Sequence, residues 1–137
     1  MTIEGLSHIT LVVQNLEKTT DLLCSILDAE EVYSSGEKTF SLAKEKFFRI
    51  GGTWLAIMEG NQLSERTYNH VAFKIPESQF EDYRERLKAA KVEFREGRER
   101  IQGEGRSLYF YDYDNHLFEL HTGTLEGRLR AYGRPYG

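Results

Sequence analysis

Apolar and polar positions along this chain alternate with two different periods, and the periods take turns. The run Leu6-Ser-His-Ile-Thr-Leu-Val-Val13 has a period of two, which places residues 6, 8, 10 and 12 on one face of a strand. Asn15 stands where a helix cap is needed, and Leu16, Thr19, Leu23, Ile26 and Leu27 then recur at helical spacing as one apolar stripe. Short strand-like runs follow at residues 31–33, 39–42, 47–50 and 53–58, punctuated by Gly36, Gly51 and Gly52. The order then returns. Residues 68–75 read as a strand, and Ser78 with Glu81 forms a capping box. Phe80, Tyr83, Leu87 and Ala90 make a second helix stripe. Residues 92–94 read as a short strand, and residues 107–111 and 116–121 as a hairpin around Asp114-Asn115.

Each half therefore predicts β-α-β-β-β. Two amphipathic units can look alike by chance. Here element order, element lengths and the place of a histidine in the first strand all agree, at positions 8 and 70. A duplicated unit accounts for this better. The fold class expected is α+β, with paired βαβββ modules curling into an incomplete barrel around a concave surface suited to a ligand. The modules span about residues 4–60 and 66–124 of one domain over 1–137, with a helix and tail at 124–137.

Composition narrows the function classes. The net charge of −4 with mixed signs argues against nucleic-acid binding, which needs a basic face. No stretch is apolar and long enough to cross a membrane. The start, MTIEGLSHIT, lacks the basic region of a signal peptide, so the expected compartment is the cytoplasm. The single Cys24 cannot form an internal disulfide, and its place among helical apolar positions predicts a buried structural thiol. The final residues 130–137, rich in Gly and Pro, predict a frayed tail without a role.

Strand phase places His8 with Thr10, His70 with Tyr68 and Ala72, and Glu119 with Leu117 and His121. Aligning TWLAIMEG with HLFELHTG puts Ala56 where the second half has Glu119. Two imidazoles and a carboxylate are a ligand set for divalent transition metals, and a missing fourth protein ligand leaves room for water or substrate. A strand histidine taken singly reads equally as a polar group satisfied by a hydrogen bond. The pair at matching positions, with Glu119, points to metal. His121 competes for the role of Glu119, and His116, of opposite phase, belongs to the turn.

The segments GLSHITLVV, FSLAKEKFF, ERTYNHVAFKI and GEGRSLYFYDYDNHLFELHTGTLEGRL, spread over residues 5–129, resemble the vicinal oxygen chelate superfamily, which includes glyoxalases and extradiol dioxygenases. They are most similar to its fosfomycin epoxide hydrolase branch, FosX. The resemblance implies a homodimer in which His8 of one chain joins His70 and Glu119 of its partner around manganese(II). The chemistry of the donors does not by itself select manganese over iron, nickel or zinc.

The resemblance further implies that Glu45 is the general base for water; composition alone would make it a solvated loop charge in Lys44-Glu-Lys46. Those lysines would hold its pKa low. Ser107, Tyr109 and Arg128 match positions that hold the phosphonate, an arginine being able to fork onto two of its oxygens. Arg128 is otherwise an exposed helix charge. Thr10, Trp54 and Tyr68 are expected to line the cavity, although Trp54 and Tyr68 also suit an ordinary core. Arg100 and Arg106 rank behind these. Residues 102–106, Gln-Gly-Glu-Gly-Arg, lack the serine of the potassium loop found in glutathione-using relatives, so no potassium is expected. The expected activity is metal-dependent hydration of fosfomycin. The alternatives are thiol transfer to the same epoxide, another reaction of the superfamily, or metal-free sequestration of an antibiotic.

Overall fold

The period-two runs become strands whose apolar faces close over helices. A computed structural model describes residues 2–38 and 41–133. The chain divides into two units, Met1–Arg66 with Asp112–His116, and Thr67–Tyr111 with Leu117–Gly137.

The first unit runs β1 (His8–Val13), α1 (Leu16–Leu27), β2 (Glu30–Ser34), β3 (Glu45–Ile50) and β4 (Thr53–Glu59). Its sheet order is β1-β4-β3-β2, with β1 parallel to β4 and the other pairs antiparallel. The predicted cap forms: Asn15 Oδ1 accepts the Lys18 N–H at 3.0 Å. Asp28 ends the helix in the left-handed region, φ 53°, which a short polar side chain tolerates. Leu22, Leu23 and Ile26 of α1 are buried, as are Phe48, Leu55 and Ile57 of the sheet face on which the helix packs. The hairpin tip belongs to this unit. Asp114 accepts the Gln14 N–H at 2.9 Å, and Asp112 accepts the N–H groups of Asp114 and His116, both at 2.8 Å. His116 sits at the turn, its Nδ1 2.8 Å from Asp112.

The second unit repeats the plan with β5 (His70–Lys74), α2 (Phe80–Ala89), β6 (Phe94–Glu96), β7 (Ser107–Tyr111), β8 (Leu117–His121) and a closing α3 (Leu125–Ala131). Its sheet order β5-β8-β7-β6 is that of the first unit. Phe80 and Leu87 of α2 are buried together with Leu108, Phe110, Phe118 and Leu120. Phe118 stacks on Phe110 and Phe73, with centroids 5.6 and 6.2 Å apart. Phe118→Ala is expected to destabilise the fold by about 3–5 kcal/mol, read as a lowered urea midpoint, because the ring leaves a cavity and forfeits both stacks.

Several expectations are corrected. Neither Pro76 nor Gln79 makes a side-chain cap bond, so the capping box is not formed; the chain enters α2 through one 3-10 turn, Glu77–Gln79, set by the fixed φ of Pro76. β6 lies two residues later than predicted. Of the run 39–42, Thr39 and Phe40 lie outside the described residues, and Ser41 and Leu42 form a bend. Cys24 is exposed, because position 24 falls off the buried stripe of Thr19, Leu22, Leu23, Ile26 and Leu27. Burial, followed by the Glu31 and Asp21 charges, raises its thiol pKa. Of the tail, Arg134–Gly137 lie outside the described residues, while Tyr132 has defined partners. Among the described residues, no helix is long and apolar enough to cross a membrane.

Candidate functional site

Residues that pair across neighbouring strands point to the same side of a sheet. In the first unit His8 pairs with Trp54, Thr10 with Ala56, Phe47 with Ala56 and Glu45 with Met58. His8, Thr10, Trp54 and Glu45 therefore share the face opposite α1. The His8 ring stacks on Trp54 at 4.2 Å between centroids, and Phe47 meets Trp54 edge-on at 5.2 Å. Both His8 and Thr10 are exposed in the single chain.

Glu45 opens β3 instead of lying in a loop. Its N–H donates to Ser35 Oγ and its carbonyl accepts the Ser35 N–H, both at 3.0 Å. The residue is 8% exposed, and among the described residues its carboxylate has no hydrogen-bond or ion-pair partner. Its neighbouring lysines are both engaged elsewhere. Strand alternation sends Lys46 through the other face to Glu17 and Glu31, each at 3.0 Å, and Lys44 pairs with Glu37 at 3.2 Å.

In the second unit Ala72 pairs with Glu119, Tyr109 with Glu119, and Ser107 with His121. The sequence-predicted His70, Glu119, Ser107 and Tyr109 thus share one face with His121. His70 Nδ1 lies 2.7 Å from the Tyr68 carbonyl oxygen, which can only accept, so that nitrogen carries the hydrogen. The opposite nitrogen, Nε2, is 2.9 Å from Glu119 Oε1. In the neutral form of the ring, Nε2 and the carboxylate oxygen would each present a lone pair at the same point, an arrangement that a shared cation suits. A backbone carbonyl fixing the far nitrogen is also the usual outer support of a metal-bound histidine.

The other Glu119 oxygen is held from beneath. Arginine only donates, so Arg128 Nη2, 3.3 Å from His121 Nε2, makes that nitrogen the acceptor. His121 Nδ1 then donates to Ser107 Oγ at 2.8 Å, and Ser107 donates to Glu119 Oε2 at 2.5 Å. Burial lowers the His121 pKa below its ordinary value, consistent with the neutral ring this chain of bonds requires. Arg100 Nη2 adds a second bond to Ser107 Oγ at 3.1 Å and approaches Glu119 Oε2 to 3.7 Å. The Tyr109 hydroxyl contacts that of Tyr68 at 3.1 Å. Burial first, and that bond next, raise the Tyr109 pKa, so it remains a phenol.

Sequence reasoning set Arg100 and His121 behind other residues, and the geometry brings both to the site. Arg100 sits in an irregular loop where no period reveals its direction. Arg106 instead pairs with Glu77 and Glu81 and lies 3.9 Å over the Phe80 ring. A cavity of about 450 Å³ opens beside Ser107, lined by Arg98, Arg100, Arg106 and Phe80. Among the described residues, no group of three or more His, Cys, Asp or Glu gathers within the chain to hold a metal. The matching registers explain why the first unit offers less: Ala56 stands opposite Thr10 where Glu119 stands opposite Ala72. Within the second unit, the imidazole of His70 and the carboxylate of Glu119 are donors of the kind a divalent transition metal takes.

Comparison with known proteins accords with this geometry. Residues 5–120 match the model of the Glyoxalase/Bleomycin resistance protein/Dioxygenase superfamily. The chain is 62% identical over 130 residues to fosfomycin resistance protein FosX of Listeria innocua serovar 6a, covering 95% of this chain and 98% of that one. It superposes with a TM-score of 0.86 and 60% identity on a variant of FosX from Listeria monocytogenes complexed with Mn(II) and 1S,2S-dihydroxypropylphosphonic acid, covering 96% of this chain and 99% of that one. Metallothiol transferase FosB of Staphylococcus haemolyticus is 37% identical over 134 residues, covering 95% and 91% of the two chains. By matched length, identity and repeated sheet order, the chain belongs to the Glyoxalase/Bleomycin resistance protein/Dioxygenase superfamily and, within it, to the FosX fosfomycin resistance proteins.

Proposed function

We propose that this protein hydrates the epoxide of fosfomycin, with Mn(II) as cofactor, to a vicinal diol that no longer acts as an antibiotic. The observation that carries the reading is His70 Nε2 facing Glu119 Oε1 at 2.9 Å with the far ring nitrogen anchored on Tyr68. The Mn(II) and dihydroxypropylphosphonic acid in the Listeria monocytogenes relative support it, since a diol of that skeleton is what water addition to the epoxide yields.

His8 of one chain and His70 and Glu119 of the partner subunit would hold the metal, which makes the working form a homodimer, with the two modules acting as one domain in the cytoplasm. Bound Mn(II) supplies Lewis acidity toward the epoxide oxygen. Glu45 takes a proton from water as the water oxygen forms its bond to an epoxide carbon. The ring carbon–oxygen bond breaks, the released oxygen takes up a proton from solvent and Glu45 returns its own to solvent, giving two hydroxyls with no change of oxidation state. Arg128 and Arg100 neutralise the phosphonate, and Tyr109 and Ser107 orient it by hydrogen bonds. For Ser107 this means turning its hydroxyl away from Glu119, its acceptor in the free protein. Thr10, Trp54 and Tyr68 complete the walls of the substrate site, apart from the cavity beside Ser107.

Phosphorus NMR of fosfomycin with protein and Mn(II), in the absence of thiol, is expected to show conversion to the diol alone. FosB-like thiol transfer is the second reading, favoured by the 37% identical relatives. A product that appears only on adding glutathione, bacillithiol or cysteine, and carries the thiol's mass, would replace hydration with transfer.

A further inference from the structure

Glu104 lies in an irregular loop of the second unit, yet its side chain is only 1% exposed. Its Oε1 accepts from Arg98 Nη2 and from the Tyr132 hydroxyl, both at 2.5 Å, and from Arg100 Nη1 at 3.4 Å. Its Oε2 accepts the Ile101 N–H at 3.1 Å and Arg98 Nη1 at 3.3 Å. The Arg98 bonds first, and the Tyr132 bond next, bring its pKa to about 2, so it stays ionised at working pH.

The backbone is pinned at the same place. A Cβ on Gly123 would lie 2.3 Å from the Glu104 carbonyl oxygen, and one on Gly105, at φ 88°, 2.5 Å from the Gly123 nitrogen. Only glycines permit this approach of the loop to the segment between β8 and α3. Tyr132 follows the last turn of α3, the helix that carries Arg128. One carboxylate therefore joins the loop bearing Arg100 to the helix bearing Arg128.

Arg100 is the residue this arrangement leaves poised. Its side chain is 9% exposed, with Nη1 turned to Glu104 and Nη2 to Ser107. Among the described residues, its Nε is buried without an acceptor. Buried donors are nearly always satisfied, so the unmet Nε sets Arg100 apart from a guanidinium whose donors are all spent on structure.

We propose that Glu104 is a positioning residue for phosphonate binding, holding the Arg100 loop and α3 at the spacing that admits the phosphonate oxygens. The inference rests on the fosfomycin reading above. Glu104 touches neither the reacting atoms nor a metal ligand; it acts through Arg100 and, by way of Tyr132, through α3. Removing its charge leaves two guanidiniums facing each other without their shared counter-ion.

The test compares wild type, Glu104→Gln and Tyr132→Phe. Steady-state hydration by Mn(II)-loaded protein is expected to show KM for fosfomycin raised about tenfold to a hundredfold in Glu104→Gln, with kcat little changed, and a smaller rise in Tyr132→Phe. Mn(II) affinity measured by EPR is expected to be unchanged in both. Calorimetric binding of dihydroxypropylphosphonate to the same proteins separates the two levels of the argument. Wild type that binds no phosphonate overturns the fosfomycin reading. Wild type that binds it, with both variants binding equally well, overturns the role of Glu104 alone, as does a lower melting temperature with unaltered KM. Should Glu104→Gln not fold, Tyr132→Phe decides: the lost hydroxyl belongs to a residue 47% exposed, and an unaltered KM there refutes the clamp.

Discussion

Glu45→Gln is expected to lower kcat for fosfomycin hydration by about a hundredfold to ten-thousandfold, the range removed with a general base. The amide keeps the shape and burial of the glutamate but cannot take a proton from water. The backbone bonds that place residue 45, to Ser35 Oγ and from the Ser35 N–H, do not involve the side chain, so the strand is expected to survive. Mn(II) affinity and KM are expected to stay near wild type, because the proposed metal ligands His8, His70 and Glu119 and the proposed phosphonate-binding arginines are untouched. Rapid-quench kinetics on Mn(II)-loaded protein gives the chemical step directly. A variant that turns over at the wild-type rate removes Glu45 from the mechanism.

Glu119→Ala is expected to cost more. Loss of an outer support of a metal ligand typically weakens metal binding by about tenfold to a hundredfold, and loss of the ligand itself should exceed that. The change also leaves Ser107 and Arg100 facing a hole in place of an acceptor, so about 1–3 kcal/mol of stability should go with it. Glu119→Gln keeps the volume and one acceptor oxygen, and therefore separates metal loss from the packing effect. The variant also reports on assembly. Chains carrying His8→Ala and chains carrying Glu119→Ala should each be inactive alone. If the metal is held across two subunits, both lesions of a mixed dimer fall in one centre and leave the other intact. Random assortment then restores about a quarter of wild-type activity, since half of the dimers are mixed and each has one working centre of two. Inactivity of a mixture in which native mass spectrometry finds mixed dimers would confine the ligands to one chain.

The strand phase of the candidate metal donors was legible because strand alternation is a local rule. His8, His70 and Glu119 stand in phase with their apolar neighbours, and the pairings of β1 with β4 and β5 with β8 keep that phase. Glu45 was harder. In Lys-Glu-Lys every position is charged, so the sequence conceals that Glu45 and Lys46 point to opposite faces and are both largely buried, one beside Ser35 and one between Glu17 and Glu31. Ser107 was read as a phosphonate donor, whereas in the free protein its hydroxyl is committed to Glu119 and its lone pairs to His121 and Arg100. Arg100 and Glu104 lie in a loop without period, and Cys24 misled because it is one helical step away from a buried stripe.

By itself the amino-acid sequence determined the duplicated β-α-β-β-β plan, the sheet face on which each candidate ligand stands, and the helix start at Asn15. These depend on where successive Cβ atoms point, which neighbours along the chain dictate. Tertiary structure alone decided which groups the long and titratable side chains meet. The His70–Glu119 approach, the bonds from Arg128 through His121 to Ser107, and the gathering of Arg98, Arg100 and Tyr132 on Glu104 join residues up to 49 positions apart. Strand register and the close passage of the loop past Gly123 bring those atoms within bonding distance, and no local pattern encodes a distance between remote parts of a chain.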